Sequence, residues 1–431
     1  MITPVVSVVM PVYNASEFIY DSVYDVLNQS YNDLEIICVD DGSTDDSGYI
    51  LDRFATKDNR IKVIHQDNRG GGAARNRGMA EAKGKYIIFL DADDRFENNL
   101  LEEAVSVAEE EKCEIVIFDA DAFDYQTGQI RKAQWLITNQ ELSIINPFMS
   151  VNNSVWNKLF LKEFIEKKKL RFMERRAAYS TSFVANALLS ANSIRIVKRV
   201  LLHYRYNNPN SNVSNEDKDP TAIVEAIRDI QKYLIEMGIY EKKYETFLYL
   251  CEKEFTTRLS FMKTHEGYRE LYTAIRDICN DLFGMDSDGI SLIEKGYKKL
   301  YAICRYSLDE WLLYKFDKMK NAAFSENNTY FLPYKLNDER INIALYGAGN
   351  VGMDYFVQAM RRKNIKIACW VDKDFDRIGF PVQSPNVITQ IDFDLLVVAV
   401  SDRRTAESII QSLIELGIPR NKIFFEEPEY V

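Results

Sequence analysis

The sequence predicts an α/β protein: βαβ units at the amino end, an α-helical middle, and a second, small α/β unit at the carboxyl end. Three observations carry that reading. Short runs rich in Val and Ile recur near the amino end, each leading into a polar cluster and then a helix-like stretch. From Thr221 the apolar period turns helical. From Ile341 a strand-like run leads into Gly347-Ala348-Gly349-Asn350-Val351-Gly352.

The amino-terminal runs come in order. Val5–Met10 ends in Pro11-Val12-Tyr13-Asn14, and Leu34–Val39 in Asp40-Asp41-Gly42-Ser43. Ile61–Ile64 ends in His65-Gln66-Asp67, and Tyr86–Leu90 in Asp91-Ala92-Asp93-Asp94. Parallel strands joined by crossover helices put their carboxyl ends on one edge, where open α/β sheets bind ligands. The four clusters therefore converge there. Their D-x-D pair, Asp91 and Asp93, suits a divalent cation that bridges the diphosphate of a nucleotide. Alone, such a pair reads as a solvated acidic turn; its three companions change the balance.

The helix Glu17–Gln29 carries Phe18, Val23, Val26 and Leu27 at helical spacing, and Ser43-Thr44-Asp45 offers N-cap chemistry for the next helix. The run Gly70–Asn76 lets backbone approach a phosphate and presents Arg75. Glu114–Phe118 and Arg195–Val197 read as strands, Ser182–Ser190 as a helix. Asn207–Pro220 is polar and rich in breakers, which predicts a mobile loop or linker, and Ser325–Glu339 reads as a second linker. Between them Ile223, Ile227, Ile230, Tyr233 and Leu234 share one helical face. Tyr244, Phe247, Tyr249, Phe255 and Phe261 read as bundle core. The expected domains are 1–215, 216–336 and 337–431. In the last, G-x-G-x-x-G follows a strand, opens a helix and has Asp372 downstream, the context of a Rossmann dinucleotide site. A scaffold of that type without a ligand is the other reading.

With 431 residues, 46% hydrophobic and 28% charged, the chain has an ordinary soluble composition and ample core. No apolar run approaches the roughly 18 residues of a membrane span, and no signal peptide is expected. Six scattered cysteines without a C-x-x-C pair suggest a reduced, cytoplasmic protein with buried thiols and no zinc site. A net charge of −11 with no basic stripe argues against nucleic-acid partners.

The strings VSVVMPVYNA (6–15), LEIICVDDGSTDDS (34–47), IKVIHQDNRGGGAARNRG (61–78) and AKGKYIIFLDADD (82–94) resemble family 2 glycosyltransferases of the inverting GT-A fold, in order and spacing. Weaker echoes, VWNKLF and HYRYNNPNSNVS, extend to about residue 214, and the last ninety or so residues resemble a Rossmann-type addition. The resemblance implies transfer from a nucleoside-diphosphate sugar, chiefly a UDP-sugar, to a hydroxyl of a glycan, lipid-linked or protein acceptor. The setting would be bacterial surface glycan synthesis at the cytoplasmic face of the membrane, with Mg2+ or Mn2+ as cofactor. Peripheral membrane association and a homo-oligomer are compatible with it.

By the same resemblance Pro11, Tyr13, Asn14, Asp40 and Asp41 hold the nucleoside, and Arg75, Asp91 and Arg205 serve the rest of the nucleotide. Asp93 is the direct metal ligand; Asp91 and Asp94 ligate, bind the ribose or stand behind it. His203 is a further ligand or a structural histidine. Trp156 floors the acceptor pocket or packs in the core. One departure stands out. The family carries a Glu-Asp pair whose Asp is the general base, and Tyr179-Ser180 occupies those positions here. Neither is an ordinary base at neutral pH. Glu174 upstream or Glu216-Asp217 is left to serve, or the module is catalytically weakened and binds nucleotide sugar or scaffolds glycan assembly.

Overall fold

The computed structural model describes residues 4–131, 146–175, 179–206, 208, 219–262, 264–283, 296–313, 315, 330–333, 336, 340–379 and 381–429. They belong to two compact units, Met1–Lys253 and Glu254–Val431, with the division inside the helix Tyr240–Phe261. The predicted loop Asn207–Pro220, the pair Glu216-Asp217 and the linker Ser325–Glu339 lie largely outside the described residues.

In the first unit the four apolar runs become strands β1 (Val6–Val12), β2 (Leu34–Asp40), β3 (Ile61–His65) and β4 (Tyr86–Phe89). They lie side by side in the order β3-β2-β1-β4, all parallel. Helices α1 (Ile19–Leu27), α2 (Ser47–Ala55) and α3 (Gly71–Glu81) make the crossovers. Helices cover both faces, so β1 and β2 are apolar on both sides rather than alternating. Val8, Met10, Ile36 and Ile88 pack with Val23 and Val26 of α1 in the main core. On the other face α3 comes very close: a Cβ added at Gly78 would lie 2.4 Å from Val9 Cγ1. Any larger residue there would force the helix off the sheet.

Beyond β4 the sheet turns mixed. Strands β5 (Arg95–Phe96), β6 (Ile115–Asp124), β7 (Ile130–Arg131), β8 (Lys158–Leu161) and β9 (Ile194–Tyr206) extend it in the order β4-β8-β6-β9-β5, with β7 on β6. β8 runs antiparallel to both β4 and β6, and β5 antiparallel to β9. β9 joins two stretches that the sequence separates, Arg195–Val197 and Leu201–Tyr206. The exposed, charged Lys198-Arg199 between them hides the continuity, and register shifts opposite Phe118–Ala120 absorb the irregularity. Helix α4 (Leu100–Glu111) covers this side, α5 (Lys162–Lys167) follows β8, and α6 (Tyr179–Ser190) packs against α7 (Ala222–Glu236). There Tyr233 donates to Lys168 O at 3.3 Å and to Ser190 Oγ at 3.2 Å.

The helix Tyr240–Phe261, α8, buries Phe247 and Phe255, but Phe261 at its end is exposed, contrary to the core reading. Leu259 and Met262 beside it are buried, so Phe261 stands on the outer face of this helix end. In the second unit α9 (His265–Phe283) buries Tyr268, Leu271, Tyr272, Ile275 and Ile278, a helical stripe, toward α10 (Lys298–Arg305). Its buried tyrosines are satisfied: Tyr272 donates to Tyr306 O at 2.9 Å, and Tyr268 accepts from Trp311 Nε1 at 2.9 Å.

The carboxyl-terminal sheet has β10 (Ile341–Tyr346), β11 (Ile365–Val371), β12 (Val382–Gln383), β13 (Leu395–Val398) and β14 (Ile423–Phe424). The order is β12-β11-β10-β13-β14, all parallel, with α11 (Asn350–Met360) after β10 and α12 (Arg403–Glu415) after β13. This is the doubly wound arrangement that the glycine motif predicted. The motif folds on itself. Trp370 Nε1 donates to Gly347 O at 2.7 Å, and Asp372 Oδ2 accepts Ala348 N at 2.7 Å. The acid that a dinucleotide would use on its ribose thus holds the loop's own backbone. A Cβ at Gly352 would stand 1.8 Å from Gly347 O. Gly352→Ala is therefore expected to cost about 3 kcal/mol of stability through overpacking. Thermal denaturation of the variant checks this; an unchanged melting curve would show that the loop relaxes freely.

Among the described residues no helix is long and apolar enough to cross a membrane.

Candidate functional site

The carboxyl ends of β1, β2 and β4 carry the polar clusters to one edge, and hydrogen bonds lock them together. Asn14, at φ 48°, accepts Thr44 N on its Oδ1 at 2.8 Å, while its own N–H donates to Ser43 Oγ at 3.0 Å. Asp45 accepts Ser16 N and Ser47 N, each at 3.0 Å, so Asp45 caps the start of α2 while Ser43 serves Asn14. Asn14, expected at the nucleoside, ties the two loops together at this edge. Tyr13 beside it is 52% exposed and its ring remains open to stacking, while Pro11 is half-buried in β1.

Asp40 and Asp41 are both buried and differ in their work. Asp40 accepts Ser43 N at 3.0 Å and meets His65 Nδ1 at 2.9 Å, with Asp52 on the other ring nitrogen at 3.1 Å. Those two carboxylates raise the His65 pKa above its usual value. Asp41 accepts Gln66 Nε2 at 2.7 Å, Arg69 N at 2.9 Å and Gly70 N at 2.7 Å. It fixes the turn that starts α3, a helix with no side-chain cap on its amino end. The first N–H groups of such a helix have no intrahelical partners and suit an anion.

The D-x-D turn is held from three sides. Ser22 Oγ lies 2.7 Å from Ala92 O and 2.8 Å from Asp94 O. Arg75, buried in α3, forms an ion pair with Asp91. Arg205 on β9 donates its backbone N–H to Asp94 Oδ1 at 2.9 Å and its Nε to Asp93 O at 2.8 Å. Its guanidinium is clamped between the rings of Phe18 and Phe123, 4.5 Å from each centroid. Burial and the charge of Asp91 push Asp93 up to about 6, while Asn208 contributes a 3.3 Å hydrogen bond. Asp94, fully buried, is pushed well above the carboxylate range by burial and by Asp93 and Asp91. Its Oδ2 has no hydrogen-bond partner among the described residues.

Three crowded carboxylates, one of them paired, are a setting that a hard divalent cation would relieve. Asp93 and Asp91 are the residues that could hold one. Among the described residues no three His, Cys, Asp or Glu side chains form a ready metal cage. Two protein ligands plus phosphate and water oxygens are the usual shell of Mg2+ at such sites. His203, the further expected ligand, faces two carboxylates of its own. Its Nδ1 lies 2.6 Å from Asp121 Oδ1 and its Nε2 3.0 Å from Glu97 Oε1, so both ring nitrogens are taken. Burial opposes a charged ring, yet the two carboxylates raise its pKa above the usual value. It lines a cavity of about 380 Å³ with Asp25, Arg95, Glu97 and Phe123. Trp156 is buried in the main core and stacks on Tyr204 at 5.5 Å, so the core alternative describes its contacts.

At the expected base position Tyr179 and Ser180 form the first turn of α6, with Ser180 half-buried. The Tyr179 side chain lies outside the described residues. Glu174 is exposed and pairs with Arg69 NH2 at 2.5 Å.

This geometry belongs with known proteins. The model of glycosyl transferase family 2 matches residues 7–170, and that of the C2185-like N-terminal domain matches residues 339–424. The fold of Staphylococcus aureus TarS 1–349, solved in complex with UDP-GlcNAc, superposes with TM-score 0.60 at 17% identity, over 77% of this chain and 95% of that one. Glycosyltransferase GlyG of Streptococcus pneumoniae is 42% identical over 133 residues, 29% of this chain and 44% of GlyG. The Bacillus subtilis protein named "Putative glycosyltransferase EpsH" is 30% identical over 304 residues, 64% of this chain and 83% of EpsH. The chain belongs to glycosyltransferase family 2. Its first unit has the GT-A fold.

Several residues of this glycosyltransferase escaped the sequence reading. Arg69 was hidden because an exposed arginine in a loop carries no signal by itself. Asn76 brackets the Phe172 backbone, donating to its O at 2.9 Å and accepting its N–H at 3.0 Å. Lys158, inside the VWNKLF string, is fully buried and pairs with no carboxylate among the described residues. Its ammonium donates to Asn152 O at 3.1 Å, Ser154 O at 2.5 Å and Asn157 Oδ1 at 2.8 Å. Burial and nearby Lys253 push it down to about 7. A lysine in an apolar strand string was the available signal.

Proposed function

We propose that the protein is an inverting glycosyltransferase that moves a sugar from a UDP-sugar to an acceptor hydroxyl in bacterial surface glycan synthesis, at the cytoplasmic face and with Mg2+ or Mn2+. The observation that carries this is the convergence at one sheet edge: Asp91-Ala92-Asp93, Arg75, Arg205 and the uncapped start of α3. A uridine donor is suggested by the UDP-GlcNAc complex of TarS, and a bacterial glycan by the bacterial relatives.

Tyr13 would stack on the base, with Asp41 holding the turn behind it. Arg205, its guanidinium already ordered between two rings, would meet the diphosphate, and the α3 N–H groups would share that charge. A cation on Asp93 and Asp91 would supply Lewis-acid stabilisation of the leaving diphosphate. Glu174 is the nearest described carboxylate upstream of the family base position.

The second reading, a weakened module that binds donor without efficient transfer, is favoured by Tyr179-Ser180. UDP release from a panel of nucleotide sugars, with and without Mn2+, separates them. Metal-dependent release from a UDP-sugar is the expected result. Tight UDP-sugar binding with no release would support the weakened module. No binding of any UDP compound would overturn both.

A further inference from the structure

We propose that Arg69 and Glu174 form a donor-operated latch: the arriving nucleoside diphosphate draws Arg69 from Glu174 and frees that carboxylate to take the acceptor's proton. This rests on the donor reading above and names the base and its control.

The two halves of the latch are anchored differently from their tips. The backbone of Arg69 is pinned, because buried Asp41 accepts its N–H at 2.9 Å and that of Gly70 at 2.7 Å. That places Arg69 directly before the α3 amino terminus, where the diphosphate is expected. Glu174 lies 105 residues away in sequence and is delivered by Phe172. The Asn76 amide grips Phe172 from α3, and the Phe172 ring stacks on Phe183 of α6 at 4.0 Å and meets Phe89 of β4 edge-on at 5.0 Å. The segment is thereby fixed to the same helix that carries Arg75 and to the strand that leads into Asp91.

The tips are loose by contrast. Arg69 and Glu174 side chains are 62% and 49% exposed, with their charged ends 2.5 Å apart. Exposed pairs of this kind are weak and easily exchanged. A diphosphate offers Arg69 more charge and a bidentate partner. While paired, Glu174 Oε2 is turned to Arg69 NH2 and not toward an acceptor hydroxyl. Release leaves that oxygen open to the hydroxyl when donor is present.

The step balances simply. The acceptor oxygen forms a bond to the anomeric carbon, and the bond from that carbon to the diphosphate oxygen breaks with its electron pair leaving on the nucleotide. The hydroxyl proton passes to Glu174, which later returns it to water.

The test uses the full chain and UDP with Mn2+, by calorimetry, alongside transfer or donor hydrolysis. Glu174→Gln removes the competitor for Arg69, so UDP should bind about two- to fivefold tighter. Turnover in the same variant should fall about 10²–10⁴-fold. Arg69→Met should bind UDP about tenfold more weakly, in the range of a lost charged contact. Adding Glu174→Gln to Arg69→Met should then change affinity no further. These opposite movements of affinity and rate are not what a structural lesion gives, and both side chains are exposed enough to replace without unfolding. UDP binding that is the same in Glu174→Gln as in wild type overturns the latch alone. No UDP binding by wild type overturns the donor reading, and the latch with it.

Discussion

Asp93→Asn is expected to abolish metal-dependent turnover and yet to raise the melting temperature of the metal-free protein at neutral pH. The carboxyl of Asp93 is pushed up to about 6 from an unfolded value of 3.8, by burial and by Asp91. The folded state therefore binds more protons than the unfolded chain between those values. Stability falls as pH rises through that window, and the penalty is fully present above about pH 6. A shift of this size corresponds to at most about 3 kcal/mol, since one unit is worth about 1.4. Asparagine is nearly the same shape and carries no such penalty. It also lacks the charge to hold a divalent cation, so the loss in turnover should reach at least about 10²–10³-fold. Melting curves from pH 4 to 8, with and without Mn2+ and UDP, make the check. Wild type should gain stability from the ligands, as any binder of the native state provides. A variant that is less stable at pH 7 would overturn the burial penalty, and one that responds to Mn2+ and UDP as wild type does would remove Asp93 from the metal assignment.

That conflict between fold and function at one residue was half legible in the sequence. The strands were readable because β1, β2 and β4 are rich in Val and Ile and almost wholly buried, edge strand β3 keeps Ile61, Val63 and Ile64, and parallel pairing then fixes where their ends lie. Asp91 and Asp93 stood out because three other polar strand ends converge on the same edge; alone the pair reads as an acidic turn. What each polar residue does within the edge was not readable. Asp40 and Asp41 are neighbours of the same chemistry, yet one is spent on His65 and the other on the Arg69–Gly70 backbone. His203 looked available until β6 and the residue just past β5 brought Asp121 and Glu97 to its two nitrogens. Such partners come from positions 82 and 106 residues away, which no local pattern encodes. The doubly wound end of the chain was readable for the opposite reason. Its glycine motif is a local steric requirement, and Gly352 meets it against Gly347 within the same turn. Whether Asp372 faced a ligand or its own loop depended on Ala348, and the structure gives it to the loop.

The missing family base yields the other large effect. Turnover lost in Glu174→Gln should be recovered about tenfold or more by adding Ser180→Asp. Ser180 stands in the first turn of α6 and is half-buried, with Thr181 and Ser182 buried behind it. A carboxylate in the first turn of a helix is favoured by the exposed N–H groups and the helix dipole, by about 0.3–1 kcal/mol. The substitution should therefore fold and should place an anion where the family keeps one. In the wild-type background the same change should matter little, because Glu174 already takes the proton once Arg69 has left it. Recovery is bounded by what a general base contributes, about 10²–10⁴-fold, and is reduced by any misplacement from the acceptor hydroxyl. Single-turnover transfer in the four combinations of the two sites is the measurement. A silent Glu174→Gln together with a large gain from Ser180→Asp alone would show that the wild-type chain lacks a working base. The edge would then be a donor-binding module that has kept its nucleotide contacts and lost the step they serve.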